Sequence, residues 1–412
     1  MSAPSAGKIS SRRSPAGEVF ATFLRLGLTS FGGPVAHLGY FRAELVERRR
    51  WLGERAYADL VGLCQFLPGP ASSQVGFALG LMRGGWLGGL AAWAGFTLPS
   101  AGLLVLFAYG AGSLADSVTG TGLLHGLKLV AVAVVAQAVW GMARSLCPDR
   151  ERASIGTAAA ILVLFAPAAL GQVGAIVLGA IAGLWLSCTT MGQAADPMPE
   201  SFALPVSRGT GIACLALFLA LLVVLPFLHG LGLGIALFDA FYRSGALVFG
   251  GGHVVLPLLR DAVVAPGWVS DGAFLAGYGA TQAMPGPLFT FAAYLGAVLP
   301  GPLGGVAGAM LALAAIFLPG ILLLAGALPF WDALRARPRA QAAMRGVNAA
   351  VVGLLGAALY DPVWTGAVQR PADFALALLG FVLLVIWRAP PLLVVALGAA
   401  GGIGLGWTGG PG

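Results

Sequence analysis

Long apolar runs, separated by short polar loops, follow one another along the whole chain. A bilayer core requires about 20 apolar residues per helical crossing, and four runs have roughly that length: residues 87–109, 123–143, 212–228 and 303–328. Shorter apolar runs, which suit tilted, interfacial or internally packed helices, are residues 153–166, 169–188, 374–387 and 392–407. The pattern therefore predicts an all-α polytopic membrane protein.

Composition excludes an ordinary water-soluble domain. Hydrophobic residues make up 58% of the 412 residues and charged residues only 9%, whereas soluble domains carry roughly 25% charged residues. The formal net charge of +7 comes mainly from arginines in short loops, which indicates topological signals for the cytoplasmic side rather than nucleic-acid contacts. No signal peptide is apparent, and the cysteines show no metal-ligand spacing.

The chain carries the same proline-rich hexapeptide twice. Residues 65–70 read QFLPGP, and 217 residues later residues 282–287 read QAMPGP. Proline removes an N–H and blocks the preceding helical turn, yet it suits the first position of a new helix. Each hexapeptide therefore predicts a broken helix. Its second half begins with unpaired N–H groups at a positive helix end, which favours an anion.

Further matches at similar spacing identify an internal repeat. Residues 23–33 and 241–251 share six of eleven residues. Trp51 matches Trp268, and the spacing drifts only between 216 and 220 residues over the remaining matches. We interpret the chain as a polar tail, a first repeat, a linker with one extra apolar helix and a second repeat, at residues 1–17, 18–188, 189–235 and 236–408.

Loop charges predict opposite orientations for the two repeats. Residues 42–55 contain five arginines and the matching residues 258–272 contain one, whereas residues 111–125 contain no lysine or arginine and the matching residues 331–345 contain four arginines. Basic loops mark the cytoplasmic side, so we predict inverted repeats, a linker helix that reverses the second copy, and a cytoplasmic N-terminus. The number of membrane crossings agrees with these orientations if residues 18–40, residues 237–258 and the proline hairpins re-enter on the side that they left. A full crossing by residues 18–40 would contradict this number of membrane crossings.

A candidate substrate site is expected where the two copies meet, near the membrane midplane. Arg25 and Arg243 occupy matching positions in apolar sequence, so they are candidates to bind an anion; an interfacial arginine that extends to lipid headgroups is the alternative. Paired glycines allow either exposed N–H groups or close helix packing. These glycines are Gly32, Gly33, Gly250 and Gly251.

Polar side chains beside the prolines extend the substrate-binding set. Ser72, Ser73 and Thr290 could donate hydrogen bonds to an oxyanion or only cap a helix. Gln65 and Gln282 could orient the ligand or only hold the hairpin backbone. The hairpins themselves contribute Pro68, Gly69, Pro70, Pro285, Gly286 and Pro287.

Two histidines complete the set, and no catalytic group accompanies them. An unperturbed histidine titrates near neutral pH, so His37 and His253 could couple protons to transport or could form structural hydrogen bonds. Lys128 is a weaker candidate for a charge that guides substrate, because the second copy has Asn348 there. The sixteen carboxylates lie mostly in loops, and no spacing suits a metal or a nucleophile.

Together these motifs resemble the chromate ion transporter family, specifically its long, two-domain members, over almost the whole chain. The resemblance is strongest in the two Phe-Gly-Gly segments with their following histidines, in Trp51 after its basic run, and in the two hairpins. Two segments of the second copy also look like that family. The corresponding residues are 31–37, 51, 65–70, 249–253, 282–287, 346–352 and 360–364.

The resemblance implies a transporter, not an enzyme, that exports chromate from the bacterial cytoplasm across the inner membrane and gives chromate resistance. The membrane potential or a proton gradient would drive it, without a cofactor. Sulfate or another tetrahedral oxyanion is the alternative cargo, because chromate and sulfate are dianions of similar size and shape. A non-transporting membrane enzyme or assembly subunit is a second alternative. Expected partners are the anion, the lipid bilayer and, as an open question, protons and a second copy of the chain, but no nucleic acid.

Overall fold

A computed structural model describes residues 16–30, 33–115, 117–166, 168–187, 206–248, 254–331 and 337–408. Within these residues the regular secondary structure is entirely helical. Five helices are long and apolar enough to cross a membrane: Ala71–Gly110, Val118–Arg144, Arg208–Leu231, Gly305–Phe330 and Pro338–Asp361. The predicted all-α polytopic membrane class is therefore confirmed.

The first copy contains seven described helices. The chain forms α1 and α2, passes through a π-helical turn at Arg42–Arg48, and continues with α3 to α7. Helix α4 is two helices joined at a kink, because Gly84 and Gly85 have non-helical dihedral angles. The bounds of α1 to α7 are Ala16–Thr29, Gly33–Phe41, Glu54–Phe66, Ala71–Ala115, Val118–Leu146, Arg150–Phe165 and Ala168–Ser187.

One helix without a counterpart precedes the second copy. This helix, α8, spans Arg208–Val224, starts at the Ser207 cap and continues into a 3-10 segment at Leu225–Leu231. The second copy then repeats the order of the first, with the kinked α4 represented by α12 and α13. The bounds of α9 to α16 are Leu233–Ala246, Val255–Val263, Asp271–Thr281, Phe291–Ala297, Gly305–Ala327, Pro338–Ala358, Pro371–Val385 and Pro391–Thr408.

The segments expected to re-enter the membrane are short in the structure. Residues 18–40 form parts of α1 and α2, which are 14 and 9 residues long, and about 20 residues are needed to span. Helices α15 and α16 are also short, with 15 and 18 residues. Re-entry on one side, and crossing by the shorter helices, stay predictions.

Glycine-lined contacts pack a helix of each copy against the other copy. In α5, Gly122 and Gly126 lie against Gly402 and Gly398 of α16, so these two helices run antiparallel. A Cβ atom at Gly126 would overlap the Gly398 carbonyl, hence the close approach requires glycine. Helix α5 of the first copy therefore packs against α16, a helix of the second copy.

The reciprocal contact is also present. In α14, the counterpart of α5, Gly346 lies against Gly179 and the Ala342 carbonyl lies against Gly183 of α7, again antiparallel. An exchange of equivalent contacts is what an approximate two-fold axis produces. Within one copy, α5 and α7 are separated by a single helix and short connections, so they run in the same direction. If the two copies had the same orientation, α5 would therefore run parallel to α16, the second-copy counterpart of α7. The inverted orientation stays a prediction, which these directions support.

Candidate functional site

Both proline hairpins interrupt a helix at the predicted place. Helix α3 ends at Phe66 and α4 begins at Ala71, while α11 ends at Thr281 and a 3-10 turn begins at Leu288. The central glycines, Gly69 and Gly286, have φ angles of +123° and +99°. Residues other than glycine are strained in this region, so the Pro-Gly-Pro sequence matches the backbone that it forms.

Each hairpin is anchored on the first helix of the other copy. The Gly69 N–H donates to the Val248 carbonyl at 2.7 Å, and the Gly286 N–H donates to the Ser30 carbonyl at 2.9 Å. Val248 follows α9 and Ser30 follows α1, so the donors and the acceptors occupy matching positions. The hairpin amides are thus engaged by protein, and the amides left for a ligand are those of residues 71–73 and 288–289, because the Thr290 N–H donates to the Pro287 carbonyl at 3.0 Å.

The same glycines approach the long helices of the opposite copy. A Cβ atom at Gly69 would lie 3.1 Å from the Cα atom of Gly320 in α13, and one at Gly286 would lie 2.8 Å from Ser100 Oγ in α4. These distances are shorter than ordinary van der Waals contact. Both hairpins therefore insert at the boundary between the copies, where the substrate site was expected.

A cavity at this boundary brings together predicted residues from both copies. Gly33 comes from the start of α2 in the first copy, whereas Gln282 and Gly286 come from the second hairpin. The cavity is open on one side, and its empty volume of about 490 Å³ includes part of the surrounding space. Its other lining residues are Pro34, Val134, Gln137, Thr281, Met284, Leu288 and Pro391.

His37 and the two serines lie on the first-hairpin side. His37 is 1% exposed; its Nδ1 atom is 3.5 Å from Ser72 Oγ, and its ring meets the ring of Phe96 edge-on. Helix α2 is outside the five candidate spans, and burial lowers the pKa of His37 to about 4, opposed by its hydrogen bond to Ser30. His37 is thus neutral at physiological pH in this conformation. Proton coupling through it would require a conformation that opens the ring to water.

Ser73 is buried, and its Oγ atom has no hydrogen-bond partner within the described residues. The next residue, Gln74, donates through Nε2 to the carbonyls of Pro68 and Gly320, both at 3.0 Å. Gln74 therefore ties the first hairpin to the second copy, a role that was not predicted. A third polar residue after Ser72 and Ser73 in an apolar helix was the available signal.

The matched arginines have different surroundings. Arg243 pairs with Asp239 at 2.7 Å, and Asp239 is fully buried and also contacts His229. Arg25 is exposed, and Ala21 stands where the second copy has Asp239. Neither arginine is among the described residues that line the cavity. The i, i+4 spacing of Asp239 and Arg243 was a sequence signal for this pair.

The remaining predicted residues are dispersed. Gln65 is exposed, whereas Thr290 is buried and donates its hydroxyl hydrogen to the Pro287 carbonyl at 2.7 Å. Lys128 Nζ approaches Gly272 at the start of α11. The described residues contain no group of three or more metal-ligating side chains. Four predicted residues lie outside the described part of the chain: Gly32, Gly250, Gly251 and His253.

Comparison with known proteins decides the family. The profile of the chromate transporter family matches residues 17–185 and 235–403, one match in each half. The chain belongs to the chromate transporter family. This membership confirms the resemblance seen in the motifs, and it indicates a transporter.

Three relatives match this chain over most of their own length. A chromate transport protein of Pseudomonas aeruginosa is 31% identical over 93% of this chain and 90% of its own length. A probable chromate transport protein of Synechococcus elongatus is 28% identical over 92% and 93%, and a chromate transport protein of Cupriavidus metallidurans is 25% identical over 92% and 90%. No solved structure matches the chain.

Proposed function

We propose that this chromate transporter family member exports chromate as a dianion from the cytoplasm across the bacterial inner membrane, and so gives resistance. The observation that carries the proposal is the cavity where the second hairpin meets the start of α2 in the first copy. An internal site formed by both copies suits alternating access, because movement of one copy against the other would expose it to each side in turn.

The driving force for export needs no second substrate. Moving one elementary charge across the membrane is worth about 2.3 kcal/mol per 100 mV, and a dianion gains this twice when it leaves a cell that is negative inside. The protein must offset the cost of removing the anion from water. First-turn amides after Pro70 and Pro287, with Arg25, Arg243 and Ser73 as further candidates, would supply positive potential and donors.

Everted membrane vesicles test direction and energy source together. Export in the cell corresponds to uptake by everted vesicles, so we expect chromate uptake when respiration makes the vesicle interior positive. An ionophore that collapses the potential should abolish uptake, whereas one that collapses only the pH gradient should not. Uptake that follows the pH gradient alone would instead establish proton coupling. Absence of energised uptake with the folded protein present would contradict export.

Sulfate is the second candidate cargo. The described residues that line the cavity are uncharged, and hydrogen bonds from neutral groups recognise a tetrahedral dianion without reading its central atom. Competition between chromate and sulfate over a concentration series separates the two cargoes. We expect chromate to be preferred; a wide preference for sulfate would assign sulfate as the cargo.

A further inference from the structure

One polar residue that lines the cavity, Gln137, was not predicted from the sequence. Gln137 lies on α5, in an apolar stretch of that helix, and lines the same cavity as Gln282. The two carboxamides come from different copies, one from a long helix and one from the end of α11 just before the prolines. A carboxamide in an apolar helix costs free energy unless it meets a partner.

The other donors of the cavity are largely engaged. Thr281 donates its hydroxyl hydrogen to the Gly277 carbonyl at 2.8 Å, and the Gly286 N–H is bound to Ser30. Gln282 Nε2 is 3.5 Å from the Tyr278 carbonyl, at the limit of a hydrogen bond. The carboxamides of Gln137 and Gln282 are therefore the side chains best able to donate to a ligand in the cavity.

The second copy lacks the corresponding group. The matches Pro99 with Pro319 and Gly126 with Gly346 give an offset of 220 residues in this region, so the counterpart of Gln137 is Ala357. Ala357 is buried and carries no donor on its side chain. A ligand held by Gln137 thus has one site per chain rather than two equivalent sites.

We propose that Gln137 binds the transported oxyanion and, together with Gln282, holds a tetrahedral dianion through neutral hydrogen-bond donors. This inference rests on the proposed transport function. Carboxamide N–H groups donate to anion oxygens without an ion pair, so the anion is held firmly enough to be selected and weakly enough to be released. Arginines outside the cavity then affect the rate at which the anion arrives, and the carboxamides affect its affinity.

Two substitutions at Gln137, each close to glutamine in size, separate the effect of hydrogen bonding from that of side-chain shape. Gln137→Leu removes the donor, and we expect chromate and sulfate to bind about tenfold more weakly or worse, as for the loss of a hydrogen bond to a charged group. Gln137→Glu places a negative charge against the anion, and we expect no detectable binding. Binding is measured as the rise in melting temperature of the purified, detergent-solubilised full chain with increasing chromate or sulfate.

The control is Gln369→Glu, which adds the same charge at an exposed position away from the cavity, and which should bind like the wild type. Melting temperature without anion shows whether each variant is folded; if Gln137→Glu is not folded, Gln137→Leu decides. Wild-type affinity in Gln137→Leu would overturn the role of Gln137. Absence of stabilisation of the wild type by either anion would instead overturn the proposed function.

Discussion

After its prolines the first copy continues with Ser72, Ser73 and Gln74, whereas the second copy continues with Phe289, Thr290 and Phe291. Phe289 packs on Phe317 with ring centroids 5.7 Å apart, and Phe291 packs on Phe274 and Tyr278. The position that matches Phe317 is Thr97, whose hydroxyl is buried without a hydrogen-bond partner in the described part of the chain. The same backbone arrangement therefore carries mainly polar side chains in the first copy and mainly aromatic rings in the second.

Polar groups of the second copy lie on the other side of its prolines. Thr281 and Gln282 precede Pro285 and line the cavity, whereas Ser72 and Ser73 follow Pro70 and are buried, with Ser72 beside His37. The difference teaches that duplication supplies the geometry of a site and not its chemistry. The two hairpins are expected to respond differently to equivalent substitutions.

The largest contrast is expected between the arginines. Arg243→Ala leaves the buried Asp239 carboxylate without its guanidinium partner, so we expect the free energy of unfolding to fall by about 3 kcal/mol. Arg25→Ala removes an exposed side chain and should change it by no more than about 0.5 kcal/mol. Thermal unfolding of the purified variants measures both. Equal losses would remove the distinction between the two positions.

The next largest contrast is expected between equivalent glycine substitutions in the two hairpins. Gly69→Ala and Gly286→Ala each force a side chain into positive φ, which costs about 1–3 kcal/mol. Ser100→Gly should partly restore stability to Gly286→Ala, because the Cβ atom would meet Ser100 Oγ. A Cβ atom at Gly69 would meet Gln74 Nε2 at 2.9 Å, and removal of that side chain would also break its hydrogen bonds to the Pro68 and Gly320 carbonyls, so Gly69→Ala has no comparable rescue. Unfolding temperatures of the single and double variants test this; failure of the rescue would contradict the packing described at Gly286.

Acid should destabilise the first-hairpin side through His37. Because burial lowers its pKa from 6.5 in the unfolded chain to about 4, the unfolded state binds the proton first between these values. The stability contributed by neutral His37 is complete above pH 6.5 and falls by up to about 1.4 kcal/mol per pH unit as the pH drops toward 4. Melting temperature against pH should be flatter in His37→Gln. An unchanged slope would show that other groups dominate.

The smallest contrast concerns the two hydroxyl groups at matching positions. Ser73→Ala removes a hydroxyl that has no partner within the described residues, so stability should be unchanged or slightly higher while chromate flux falls several-fold. Thr290→Ala removes a bond to the Pro287 carbonyl and should cost about 1 kcal/mol with little effect on flux. Liposome flux and thermal unfolding on the same preparations separate the effects. The opposite pattern would reassign the polar role to the second hairpin.

Local sterics made the broken helices predictable. Proline and glycine act on their own neighbours, so the ends of α3 and α11 followed from the hexapeptides alone. Helix length and hydropathy likewise placed four of the five long segments but missed Pro338–Asp361, whose first half carries Arg339 and Arg345. The hydrogen bonds from Gly69 to Val248 and from Gly286 to Ser30 were not predictable, because they depend on how one copy meets the other.

Side-chain roles were harder to predict than backbone interruptions. Arg25 and Arg243 look identical as matched positions, and only the buried Asp239 distinguishes them. Gln137 was missed because a single carboxamide in an apolar helix does not reveal which face of that helix borders a cavity. Periodicity identifies a helix, whereas the choice between lipid, protein and cavity for each face is made by tertiary packing.

Main-chain atoms form one hydrogen bond from each hairpin to the opposite copy. Such links persist under nearly every exchange of side chain, provided that the glycine dihedral angles are kept. The side chains of the two copies can therefore diverge while each hairpin stays hydrogen-bonded next to the first helix of the other copy, and a displacement of α1 would move the second hairpin, whose residues line the cavity.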